Sequence, residues 1–184
     1  MGDQRGPLSV LLLKKGIMKT IILGLGNPIL SDDGVGNRIT QELESRLSKQ
    51  DVSVMETSMS GLSLLDLLVG YDRAIIIDAI QTVEGKTGQI YRLTPDVFNS
   101  TRHASSPHDV NFATALELGN RLGMAMPKQI VIFAIQVADT STFSEECTPE
   151  VKQAVPTCIE MIIEELNGNH HASLADESRC LKGG

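Results

Sequence analysis

Three side chains able to hold a cation or move a proton stand beside apolar runs in this chain. They are one acid of the Asp32–Asp33 pair in "TIILGLGNPILSDDGVG", Asp78 in "RAIIIDAI" and His108 in "SSPHDVN". Two carboxylates and an imidazole from three loops would make a site with open positions, of the mixed oxygen and nitrogen kind that suits zinc, nickel, iron or manganese. The same groups serve equally as general acid or base. Asp32 and Asp33 are adjacent acids, which repel each other unless something cationic approaches. Each residue also has a plainer role open to it. Asp32 can cap the helix that begins near Gly34. Asp78 can be a rim carboxylate satisfied by a structural hydrogen bond, and His108 can simply precede a helix. His103 reads as loop surface and Asp109 as the cap of the helix after it.

The glycine turn of the first stretch invites a nucleotide reading, which its neighbours reject. A dinucleotide fingerprint needs a third glycine where Ile29 stands. Pro28 removes an amide donor, and the two aspartates would repel phosphate.

Positioning such residues requires a rim, and the periodicity supplies one. "TIILGL" reads as a strand buried on both faces. "GVGNRITQELESRL" follows as a helix with Val35, Ile39, Leu43 and Leu47 on one stripe. "VSVMET" is a second strand, "SGLSLLDLLVG" a short helix closed by Gly70, "RAIIIDAI" the strongest strand and "GQIYRL" another. "HDVNFATALELGNRLG" reads as a helix with Phe112, Ala115, Leu116, Gly119 and Leu122 inward and Gly123 as its cap. "QIVIFAIQV" is the last strand. In "TPEVKQAVPTCIEMIIEEL", Thr148 caps a helix that starts at Pro149 and is kinked or split by Pro156. Alternation of this kind predicts an α/β three-layer sandwich, a mostly parallel twisted sheet of about five strands with helices on both faces. Ligands of such sheets sit outside the carboxyl ends of the strands, near the switch in strand order. Asn27, Asp32, Asp33, Asp78 and His108 all fall there.

The 184 residues suit a single domain at 18–167, preceded by an appendage at 1–17 and followed by a mobile polar tail at 168–184 that holds His170 and His171. A net charge of -7 disfavours nucleic acid, which needs a basic field. No apolar run approaches the length of a membrane span. The first residues lack the charge pattern of a signal peptide, and Gly6 stands where a myristoylation signal needs Ser or Thr. Cys147, Cys158 and Cys180 have no metal or disulfide spacing, so a reducing cytoplasm is the expected setting.

With these residues assembled, the chain resembles the nickel-iron hydrogenase maturation endopeptidases from about Met18 to Leu166. "ILGLGNPILSDDGVG" is similar to that family's opening signature and "GLSLLDLLVGYDRAIIIDAI" to its second block. "SSPHDVNFATALELGNRLG" is similar to its histidine-bearing block, and "TPEVKQAVP" to the start of its last helix. "ETSMSG" and "TFSEECTPE" depart from it, lacking a glycine-threonine element and a glycine before the final helix. The resemblance implies a hydrolase that activates another enzyme, removing a C-terminal extension from the precursor of the hydrogenase large subunit once nickel is inserted. It implies Asp33, Asp78 and His108 as metal-facing residues and Asp33 and Asp78 as catalytic, with Asn27, Asp32 and Gly34 as candidates for substrate contact. Nickel would arrive on the precursor, so the free enzyme need hold none. Asp33 stands where the family often has glutamate, one methylene longer. A metal-activated water and an aspartate general base of aspartyl type both fit. The alternative is a nickel-dependent checkpoint or chaperone that binds the loaded precursor without cutting. Peptidyl-tRNA hydrolase shares "GLGNP", but its basic surface and following residues are missing here.

Overall fold

The computed structural model describes residues 18–47, 51–59, 61–101 and 112–168. Five strands, β1 (Thr20–Leu25), β2 (Val52–Thr57), β3 (Arg73–Ile80), β4 (Ile90–Leu93) and β5 (Gln129–Gln136), form one sheet in the order β2-β1-β3-β5-β4. All neighbours are parallel except β4, which runs antiparallel to β5. Between them lie α1 (Val35–Arg46), α2 (Leu64–Leu68), α3 (Pro95–Thr101) and α4 (Phe112–Arg121), and α5 (Pro149–Leu166) follows β5.

Alternation along the strands feeds two cores, because successive side chains leave opposite faces of a pleated sheet. Ile22, Ile75, Ile77, Phe133 and Ile135 pack against Val35, Ile39 and Leu43 of α1 and against Val151, Cys158, Ile159 and Ile162 of α5. Ile21, Leu23, Ile76, Ile80 and Ile132 pack on the other face with Leu64, Leu65 and Leu68 of α2, Phe98 of α3, and Phe112, Ala115 and Leu116 of α4. Each such aliphatic side chain contributes roughly 1.5–3 kcal/mol when fully buried. The sandwich expected from the periodicity is therefore present. No helix among the described residues is long and apolar enough to cross a membrane.

Three local expectations change. Leu122 is 68% exposed rather than inward, because α4 ends at Arg121 and Gly123 at φ 72° turns the chain away just after. Met124 N–H then donates to Gly119 O and Gly123 N–H to Asn120 O, the paired closure of a glycine-capped helix. Pro156 does not split α5, which runs unbroken for 18 residues. Pro156 lies on the exposed side, where water can serve the carbonyl it leaves without a donor. Helix α3 was not foreseen, since "PDVFNST" is too short for a periodic stripe. The helix expected from His108 is described only from Phe112 onward.

α1 approaches the sheet backbone to backbone. A methyl group on Gly36 would lie 2.3 Å from Leu25 O and 2.9 Å from Ile77 O, and one on Gly24 would lie 2.4 Å from Gly36 O. Those glycines let the start of α1 sit directly on the carboxyl ends of β1 and β3.

Candidate functional site at the carboxyl ends of the strands

From β1 the chain crosses to β2 on one side, and from β2 it returns to β3 on the other. α1 and α2 make these crossings on opposite faces. The carboxyl ends of β1 and β3 thus flank the topological switch point, where sheets of this type leave a crevice. Asp33 follows β1 and Asp78 lies on β3, so both candidate acids border that crevice.

Asp33 sits in a 3-10 turn, Ser31–Gly34, that leads into α1. Its Oδ2 accepts the Asn27 N–H at 2.7 Å, a short charge-assisted bond that fixes the carboxylate over the glycine turn. Gly26 makes this possible. Its φ is 136°, and a methyl group there would fall 1.8 Å from Asp33 O. Asn27 thus reaches Asp33 through its backbone amide, while its side-chain Oδ1 accepts the Ile29 N–H at 3.3 Å. Gly34 is buried, with its α-carbon turned onto Pro28.

Asp32 faces the other way. It is 0% exposed. Its Oδ1 accepts the Thr148 N–H at 2.7 Å. Its Oδ2 accepts the Thr148 hydroxyl at 3.0 Å and the N–H groups of Ala138 and Asp139 at 3.2 and 3.1 Å. α1 begins without a side-chain cap, so Asp32 does not cap its own helix. Thr148 does stand at the cap position of α5, yet its hydroxyl makes no cap bond there.

Asp78 is 4% exposed, and its Oδ1 accepts the Ala79 N–H at 2.9 Å. It is paired with Ala134 in the ladder and shares its side of β3 with Ile76 and Ile80. Alternation therefore directs it into the layer of α2, α3 and α4. His108, four positions before α4 begins, lies outside the described residues, as do His103, Asp109, His170, His171 and Cys180. Among the described residues no three histidine, cysteine, aspartate or glutamate side chains come together as a metal site. Cys147 and Cys158 are buried free thiols. Burial is the main cause that raises the Cys147 thiol above its ordinary value.

Sequence reading missed the loops that brace this rim. The buried Gln136 side chain accepts the Thr82 N–H and hydroxyl at 3.2 and 2.9 Å, and donates to Thr82 O at 3.2 Å. Asp139 accepts the N–H groups of Ser141 and Thr142 at 3.1 and 3.0 Å. Its bonds to Thr142, and then to Ser141, hold its carboxyl below the usual carboxylate range. Beside these braces project Val83, 89% exposed, and Phe143, 82% exposed. Ile29, Met59 and Leu62, also exposed, follow the carboxyl ends of β1 and β2. The Thr82–Gln136 pairing spans 54 residues, so no local pattern announces it, whereas the Asp139 turn is local and "DTST" could have signalled it.

Comparison with known proteins places these features in a wider set. A family model described as hydrogenase maturation protease matches residues 37–165, a span that includes Asp78 and begins just after Asp33. The chain is 27% identical over 151 residues to the hydrogenase 2 maturation protease of Escherichia coli, covering 79% of this chain and 89% of that one. It is 26% identical over 180 residues to the hydrogenase expression/formation protein HupD of Bradyrhizobium diazoefficiens, covering 89% and 88%. Among solved structures, the hydrogenase maturating endopeptidase HybD from E. coli superposes with a TM-score of 0.71 at 25% identity, over 83% of this chain and 94% of that one.

Proposed function

The chain belongs to the hydrogenase maturation protease family, and on that premise we propose that it removes the C-terminal extension of a nickel-iron hydrogenase large-subunit precursor after nickel insertion. The observation that carries this reading is the pair of carboxylates at the switch point, one of them held at 2.7 Å by a backbone amide of its own turn. Nickel belongs to the substrate. Bound to the precursor, it takes Asp33, Asp78 and His108 as further ligands, which seats the precursor near its cleavage point. Without nickel the three groups gain nothing from docking, so proteolysis waits for a filled site. Proximity is then the main catalytic effect. The attacking water is activated either by the metal or by Asp33 or Asp78 as general base. Exposed Ile29, Val83 and Phe143 around the crevice suit a protein substrate better than a small molecule, because apolar anchors on braced loops bury area at little entropic cost.

The test is to mix the protein with nickel-loaded precursor and follow both complex formation and mass. Release of a C-terminal fragment supports the endopeptidase. A stable complex with no loss of mass replaces it with a checkpoint that binds loaded precursor without cutting.

A further inference from the structure

We propose that Asp32 is a positioning residue for the trimming reaction, one that sets the place of the Asp33 carboxylate by tying its turn to the end of β5 and the start of α5. This rests on the function proposed above. Asp32 is fully buried and its two oxygens accept four hydrogen bonds, all from residues more than a hundred positions away. The turn is tied through its backbone as well. Ser31 N–H donates to Ser144 O at 2.8 Å, Asp32 N–H to Asp139 O at 3.0 Å, and Ser144 N–H to Ile29 O at 3.0 Å.

The anchoring comes at a conformational cost. Ser31 holds φ 43°, a left-handed conformation that side chains other than glycine seldom adopt, and it persists only where surrounding contacts impose it. Thr148, the cap residue of α5, turns its hydroxyl to Asp32 instead of its own helix. Side chains one apart on a 3-10 turn diverge by a third of a circle. With Asp32 pinned inward, Asp33 is turned outward at a fixed angle, and Asn27 N–H completes its placement. All four partners of Asp32 are donors. An asparagine there must point its own N–H donors at one set of them, so Asp32→Asn disrupts the anchor without changing volume. Misplacing a catalytic group by about 1 Å can cost ~100-fold in rate.

The experiment measures kcat and KM on nickel-loaded precursor for the wild type, Asp32→Asn and Thr148→Val, each well below its own melting temperature. Hydrogen exchange at the Asn27 amide, whose acceptor is Asp33, is measured in parallel without precursor. Asp32→Asn is expected to lower kcat at least tenfold with KM within about twofold. It should also accelerate Asn27 exchange at least tenfold while β1 and β3 amides keep wild-type protection. Thr148→Val, which loses one of the four bonds, should move both in the same direction by about threefold. If Asp32→Asn does not fold, the Thr148→Val pair of measurements decides. Wild-type kcat and wild-type Asn27 exchange in the variants overturn the positioning role. So does faster exchange spread evenly over the sheet, with activity tracking only the folded fraction. A wild-type protein that binds but never trims overturns the proposed function and this role in it, whatever the exchange shows.

Discussion

At the scale of the residue, Asp32 and Asp33 look interchangeable in a sequence and are opposites in the fold. One is sealed behind four donors, while the other closes on the Asn27 amide at the crevice. Under the proposed function, the charge of Asp33 is the quantity that matters. Asp33→Asn, isosteric but neutral, is expected to lower trimming of nickel-loaded precursor at least ~100-fold. Asp33→Glu keeps the charge and gains one methylene of reach, and should lose no more than about tenfold. Single-turnover rates by mass spectrometry check the pair, and equal losses in both would show that geometry rather than charge governs. The pairing of Asp32 with Thr148 was illegible in advance, because 116 residues separate them and each has a plausible local cap role. That Asp33 and Asp78 would lie at the carboxyl ends of their strands was legible, because one follows and the other ends an apolar run.

At the scale of the element, strands and helices announced themselves through periodicity, and exceptions arose where solvent exposure or a local backbone closure overrode it. Pro156 reads as a breaker, yet α5 continues, since the proline sits on the exposed side. Leu122 continues an apolar stripe in the sequence, but α4 ends at Arg121 and the chain turns away at Gly123. Gly36 is an element-scale requirement. Its α-hydrogen faces Leu25 and Ile77 backbone, so Gly36→Ala forces α1 off the sheet. Overpacking of this kind should cost about 1–3 kcal/mol in urea unfolding. A variant as stable as wild type would contradict that close approach.

Helix α5 also carries an alkaline signature. Burial pushes the Cys158 thiol up to about 12 from an ordinary 9.0. The folded state keeps this thiol neutral where the unfolded chain already ionises it, so its contribution is whole below pH 9 and fades between there and pH 12. At pH 10 the fold should have lost ~1 kcal/mol on this account relative to pH 7. In Cys158→Ala that part of the alkaline loss should vanish, which unfolding curves at the two pH values will reveal.

At the scale of the whole molecule, the five-stranded order places the ends of β1 and β3 together and surrounds them with loops from every parallel strand. The fold class followed from alternation alone. The strand order and the apolar collar did not, because neither leaves a local trace in the chain. The collar predicts a large partner. Replacing both Val83 and Phe143 by serine is expected to raise KM for the precursor about tenfold, with kcat unchanged and unfolding free energy within about 0.5 kcal/mol of wild type. Steady-state kinetics together with thermal melts check this, and an unchanged KM would remove the collar from substrate docking.

The most direct measurement is the intact mass of the precursor, nickel-loaded or nickel-free, after incubation with wild type or Asp78→Ala. Loss of the C-terminal extension from the loaded precursor alone, and with wild type alone, is the predicted result. Equal trimming of nickel-free precursor, or wild-type trimming by Asp78→Ala, would contradict the claim that carboxylates at the switch point read the metal before the chain is cut.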